Sequence, residues 1–263
     1  MLRRVVAQRY VTPLREGGSL PAIMEASDDG QYVVKFRGAG HGTRSLVAEL
    51  AVGELARRLE LTVPELVLVE IDAGMGRADP DPEIHELVTA SIGTNVGLDY
   101  LPGSVTFDPV QDAQPDAATA ARIVWLDSLM VNIDRSSRNP NLLTWHGNLW
   151  LIDHGAALYV HSNWKRPEES ARQRFEMIAD HVLLARAGSI VDADAQLAPL
   201  VTRELLEDVF ALVPDDLLDE DVLGRTPADV RAGYVTWLLD RLDARDEWVG
   251  EAETACAALG AGA

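Results

Sequence analysis

The rhythm of apolar positions changes along this chain. From residue 5 to residue 71 the apolar residues fall mainly in short runs. TPLREGGSLPAIMEASDDGQYVVKFRG reads as two or three strands, with turns at Gly17-Gly18 and at Asp28-Asp29-Gly30. Asp-Gly followed by QYVVKF is a hairpin signal. TRSLVAELAVGELARRLEL then spaces Leu46, Leu50, Leu55 and Leu59 at helical intervals, with Thr43 as the expected N-cap. ELVLVEI, after Pro64, returns to a strand pattern, and residues 72–83 form a loop rich in Gly, Pro and Asp. ELVTASIG is expected to be a further strand, and NVGLDYLPGSVTFDPVQDAQPDA a connection.

A helix is predicted from Ala117 to Met130, then a polar stretch, then two short strands, Leu142 to Trp145 and Leu149 to Ile152, around a His146-Gly147-Asn148 turn. The remainder is largely helical. Thr226-Pro227-Ala228-Asp229 reads as a capped helix start, with Val230, Tyr234, Trp237 and Leu238 on one face. The fold class predicted is α+β. A small β-rich N-terminal lobe with one helix spans residues 1–100, a mostly helical C-terminal lobe 101–255, and a flexible tail 256–263.

Charge narrows the partners. The formal net charge is −19, which repels phosphate backbones, so direct nucleic-acid binding is not expected. No run reaches the ~18 apolar residues of a membrane span, and no signal-peptide pattern opens the chain. A single cysteine, Cys256, excludes an internal disulfide framework. A cytoplasmic location follows as the expectation. Lysine stands only at Lys35 and Lys165 in a chain that otherwise writes arginine. Lys35 sits inside the apolar run YVVKF, on the strand face opposite Val34 and Phe36. Its plain alternative is to snorkel to solvent, but an ammonium there suits an anionic ligand such as a phosphate.

Four further residues complete a set. Glu49 flanks the apolar side of the following helix, where a carboxylate can hold a lysine, with Glu54 as its rival. VNIDRSSRNPNLL, residues 131–143, places Asp134 and Asn139 five apart in a short loop between apolar segments. Asp153 follows in LIDHG, at the end of the next strand. A carboxylate can take a proton from a hydroxyl. An amide oxygen and a second carboxylate can share a magnesium ion. Lysine, magnesium and a base are what phosphoryl transfer needs. Each motif alone is weak, and their order and structural contexts together are specific.

In that order the sequence resembles the protein-kinase-like superfamily, and most closely its HipA-like branch, from about residue 14 to about residue 185. The resemblance implies a two-lobed kinase-like fold binding ATP and Mg2+. Lys35 would contact nucleotide phosphates with Glu49 as its partner, Asp134 would be the catalytic aspartate, and Asn139 and Asp153 would hold the metal. Gly17, Gly18 and Ser19 would offer backbone N–H groups to phosphate, although EGGSLP lacks the full G-x-G-x-x-G. Ser19 is by position the candidate for autophosphorylation. Asn132 replaces the histidine that ordinary protein kinases carry in the catalytic loop, as it does in HipA-like kinases. The chain begins almost at the nucleotide lobe, where full HipA toxins carry a further subdomain for their antitoxin, so toxin–antitoxin biology is not implied. The expected acceptor is a serine or threonine hydroxyl of a protein. A small-molecule or phosphatidylinositol-type lipid kinase, a pseudokinase, transfer of a nucleotidyl group and a small regulatory partner protein are left open. His154 is expected to pack or hydrogen-bond, Asn141 to brace the loop, and Lys165 to be an exposed surface lysine.

Overall fold

The computed structural model describes residues 1–14, 20–40, 42–75, 81–110, 115–162, 164–218 and 224–260. Five strands close a barrel: β1 (Arg3–Pro13), β2 (Ala22–Ala26), β3 (Gln31–Lys35), β4 (Leu66–Ile71) and β5 (Gly93–Asp99). Neighbours in the order β1-β2-β3-β5-β4 are antiparallel, and a parallel pairing of β1 with β4 completes the ring. Two register shifts in β1, between Ala7 and Arg9 and between Tyr10 and Thr12, occur where it pairs with β2, and such irregularities increase local bending and twist. Alternation decides what fills the barrel. Tyr32, Val34 and Phe36 join Val5, Met24, Val67 and Val69 in one cluster. Gly97 pairs with both Val34 and Val67, and a Cβ there would meet Val69 at 2.7 Å and Val67 at 2.9 Å. A side chain at that position does not fit without movement of its neighbours.

The other face of the sheet carries Leu66, Leu68, Val96 and Leu98, which join the larger core around α1 (Gly42–Arg58). That helix is buried nearly all round, because it lies between the barrel and the helical C-terminal part. The C-terminal part comprises α3 (Ala117–Met130), α4 (Pro167–Ala171), α5 (Ile190–Leu197), α6 (Arg203–Phe210), α7 (Pro227–Asp243) and α8 (Arg245–Gly260). A small sheet, β6 (Val105–Thr106), β7 (Leu142–Trp145) and β8 (Asn148–Leu151), lies beside them. Its β7–β8 hairpin turns at His146 and Gly147, both at positive φ (49° and 76°), the conformation a tight hairpin requires.

Several expectations hold. The two strands around that turn, the helix ending at Met130 and the capped helix start at Thr226 are all present, the last with a reciprocal Thr226–Asp229 capping box. Three differ. ELVTASIG is not a strand: ELVTA lies in a second N-terminal helix, α2 (Pro82–Ala90), and the strand comes later, at Gly93–Asp99. Asp81 caps that helix by accepting from the Glu83 N–H at 3.0 Å, with Pro82 behind it. Cap and proline outweigh the β-branched residues of the run. Thr43 is not an N-cap, because α1 begins at Gly42 and the Thr43 hydroxyl is buried without a partner among the described residues. The segment from Cys256, read as a tail, is helical as far as Gly260. The Gly17-Gly18 turn lies outside the described residues.

Arg241 ties the C-terminal part together. It is 1% exposed, between Trp237 and Trp248, and donates to the carbonyls of Ser128, Leu129, Ala171 and Gln173. Burial pulls its pKa down to about 9. Ser128 and Leu129 belong to the last turn of α3, where a cation satisfies orphan carbonyls and opposes the helix dipole. Arg241→Ala is expected to lower the unfolding free energy by about 3 kcal/mol, since it strands several buried carbonyls. Urea unfolding checks this, and a loss below about 1 kcal/mol contradicts it.

Candidate active site

β3, α1 and the chain leaving β8 meet at Lys35. Its Nζ donates to Glu49 Oε2 at 2.7 Å and, in a short contact, to Asp153 Oδ1. The Lys35 side chain is 11% exposed, Glu49 is fully buried, and Asp153 is 40% exposed. Glu54, the rival carboxylate, instead lies 3.7 Å from Arg57 on its own helix. Burial opposes the Lys35 charge, but Glu49 and Asp153 outweigh it and raise its pKa. Burial likewise works against the Asp153 carboxylate, and Lys35 reverses that, holding its pKa below the usual value. Glu49 Oε2 accepts a second bond, from the His154 backbone N–H at 2.8 Å, and its Oε1 is buried with no partner among the described residues.

A second cluster forms in the loop after α3. Asn139 Nδ2 donates to Asp134 Oδ2 at 2.7 Å, and Asn141 Nδ2 lies 3.4 Å from the same oxygen. Backbone bonds between Ser136 and Asn139 close the turn that makes this possible. The two amides orient the Asp134 carboxylate.

Arg135 joins the two clusters. It is 2% exposed, and its Nε donates to Asp127 Oδ2 at 2.6 Å. Its other donors reach the Asn141 carbonyl, the Ile152 carbonyl at 3.2 Å and His154 Nδ1 at 3.1 Å. Asp127, on α3, also accepts from Asn132 Nδ2 and His181 Nε2, each at 2.9 Å. Burial disfavours that carboxylate's charge, yet Arg135 and His181 hold its pKa well below the usual range. Val131, Asn141 and Asp153 all adopt positive φ (50°, 50° and 54°), a sparsely populated region for side-chain-bearing residues.

Lys35 thus contacts both Glu49 and Asp153, Asp134 and Asn139 touch each other, and Gly17, Gly18 and Ser19 lie outside the described residues. Asn141 braces the loop and His154 hydrogen-bonds, as their positions predicted. The roles of Asp127, Arg135 and His181 were missed. A signal existed for one of them: Asp127 stands inside the apolar helical run VWLDSLM, where a charge has to find a partner. Asn139 keeps its side-chain oxygen free of the Asp134 bond, and Asp153 presents a partly exposed carboxylate. Both are oxygen donors of the kind magnesium prefers. Among the described residues no three His, Cys, Asp or Glu side chains gather as a metal cluster. A metal ion held by this pair would complete its shell with ligand and water oxygens.

The β-rich N-terminal part and the helical C-terminal part make a kinase-like fold. The structure is similar to the Helicobacter pylori proinflammatory kinase CtkA, with a TM-score of 0.57, 14% identity and 99% of each chain covered. It has a weaker likeness to the Golgi casein kinase with Mn/ADP bound, at a TM-score of 0.43 and 13% identity over 92% of this chain and 73% of that one. Comparison with curated proteins found no match. The chain belongs to the HipA-like kinase family, whose model matches residues 8–249. Family and fold make it a phosphotransferase. No helix among the described residues is long and apolar enough to cross a membrane.

His154 supplies a pH test. Burial, with Arg135 nearby, lowers its pKa from 6.5 to about 3. A base whose folded pKa is depressed favours folding while neutral. Its contribution is complete above about pH 6.5 and declines as the pH falls toward 3. His154→Gln keeps an acceptor for Arg135 and cannot titrate. Urea midpoints at pH 7 and pH 4.5 should fall further for the wild type than for this variant. Equal falls would show that His154 does not stay neutral in the fold.

Proposed function

We propose that this protein transfers the γ-phosphoryl group of ATP, with Mg2+, to a serine or threonine hydroxyl of a protein. The observation that carries this reading is the buried lysine shared between a helix carboxylate and the aspartate of D-x-G. A charged ammonium held by two carboxylates is already placed for an anion, and Glu49 would keep it fixed while Asp153 turns to the metal. The lobes would be residues 1–100 and 101–255, with the nucleotide between them. Lys35 would bind nucleotide phosphates, together with backbone N–H groups of Gly17, Gly18 and Ser19. Asp153 and the Asn139 oxygen would hold the magnesium ion, which supplies neutralisation of phosphate charge. Asp134, its carboxylate oriented by Asn139 and Asn141, would accept the proton of the acceptor hydroxyl. Proton transfer of this kind contributes about 10²–10⁴ in rate. We propose the cytoplasm as the compartment, consistent with a chain that has a single cysteine.

The test is intact mass after incubation with magnesium and ATP, alongside phosphate transfer from γ-labelled ATP to added protein acceptors. Phosphate uptake is expected in the wild type, none in Asp153→Ala, and a rate at least about 100-fold lower in Asp134→Ala. Transfer that persists unchanged in both variants would sink the assignment. If ATP stabilises the fold thermally but no phosphate moves, the chain binds nucleotide without turnover.

A further inference from the structure

Two ion pairs among the described residues cross from the barrel to the C-terminal part, and both start at the end of β3. One is Lys35 with Asp153. The other is Arg37 with Asp216, and it touches none of the groups assigned above to nucleotide or metal. Arg37 Nη1 donates to Asp216 Oδ2 at 3.0 Å, and Nη2 donates to the Asp216 carbonyl at 2.9 Å. Both arms of a planar fork are thus used on one residue, a geometry that fixes direction as well as distance.

Each side of this contact is itself anchored. The Arg37 backbone N–H donates to Asn95 Oδ1 at 2.8 Å. Asn95, fully buried on β5, donates in turn to the carbonyls of Ser91 and Gly93, each at 2.8 Å. The guanidinium passes close to Gly93, where φ is +106° and a Cβ would lie 3.1 Å from Nη1. Glycine alone suits that backbone conformation without strain. On the other side, Asp216 belongs to the 3-10 turn Asp215–Leu217. Arg231 of α7 holds that turn through Asp215 and through the carbonyls of Phe210 and Val213. Leu217 and Leu218 are buried beside Thr43 and Val47 of α1. The turn therefore meets the chain on both sides of GAGHG, residues 38–42, the glycine-rich link between β3 and α1. Lys35 precedes that link and Glu49 follows it.

We propose that Arg37 and Asp216 are positioning residues for nucleotide binding, keeping Lys35 in register with Asp153 once those two side chains turn from each other to the ligand. The inference rests on the phosphotransferase reading above. Without ligand, the end of β3 is tied to the C-terminal part twice, so loss of the Arg37 contact changes little. With ligand, Lys35 faces phosphate and Asp153 faces metal, and the Arg37 fork is the crossing ion pair that remains. A protein lacking it has to order the barrel against D-x-G at the moment of binding, and affinity falls accordingly. Once the ligand is seated the reacting groups stand as before, so the turnover of the bound complex is kept.

Arg37→Ala, Asp216→Ala and the double variant test this. Arg3→Ala, which breaks ion pairs to Asp28 and Glu65 within the N-terminal part, is the control. The Kd for Mg·ADP, the KM for ATP, kcat and the urea midpoint are measured for each. Arg37→Ala is expected to raise Kd and KM about tenfold, the effect of one charge-assisted pair, with kcat kept within about twofold. Asp216→Ala is expected to raise them less, since the carbonyl at 216 still accepts. The double variant is expected to match Arg37→Ala, the non-additivity that direct coupling requires. Urea midpoints are expected to stay close to the wild type, because a partly exposed ion pair contributes little to stability. An unchanged Kd in Arg37→Ala, whatever its midpoint, overturns the proposal. So do an equal rise in Arg3→Ala and additive rises in the double variant. If the wild type transfers phosphate in those cases, the positioning role alone has failed. A wild type that neither binds Mg·ADP nor moves phosphate removes the phosphotransferase reading, and this one with it.

Discussion

The buried ion pair between Asp127 and Arg135 is the contact on which the site depends. Two charges removed from water are unfavourable unless their remaining hydrogen bonds are met. Here they are met by the site itself. Asp127 receives Asn132 and His181 in addition to Arg135. Arg135 reaches the carbonyls of Asn141 and Ile152 and the ring of His154. The pair satisfies its own electrostatics only when the catalytic loop, the end of β8 and the segment at His181 are all in place. Removing either partner would leave a buried charge alone, a loss of about 3–5 kcal/mol.

That anchoring accounts for the backbone strain beside it. Val131, Asn141 and Asp153 hold left-handed conformations that cost of order 1–2 kcal/mol each for side-chain-bearing residues. Each lies within a few residues of a group that Arg135 or Asp127 grips. A hydrogen-bonded path then runs from Lys35 to Glu49, on to the His154 backbone, from the His154 ring to Arg135, and so to Asp127. The lysine of the barrel and the buried aspartate of α3 therefore sit in one connected frame. At a second contact, Arg37 beyond β3 grips Asp216 through its carboxylate at 3.0 Å and its carbonyl at 2.9 Å, tying the barrel to the helical part.

Much of this was legible in the chain. The hydrophobic rhythm placed three of the first four barrel strands, α1, α3, the β7–β8 hairpin and the start of α7 close to where they lie. Lys35 stood out because lysine is so rare here, and VNIDRSSRNPNLL because a polar loop between two apolar anchors has few reasons to exist. The misreading at ELVTASIG came from weighing β-branched residues above an Asp-Pro cap five residues upstream. The strand after it was missed because GTNVGLD has little apolar alternation; its Gly97 is there for the packing of Val67 and Val69, which no local pattern displays.

The sequence by itself determined the elements and the inventory of reactive groups, because helix and strand preferences act over a few residues and leave a periodic mark. Only the tertiary structure decided which groups meet. Lys35 and Asp153 are 118 positions apart, and Asp127 and His181 are 54 apart. Glu49 was separable from Glu54, and Arg135 from the chain's other arginines, only once the barrel, α1 and α3 were packed. Burial is what gives a charge its partner, and burial is a property of the assembled core, absent from any short stretch of the chain.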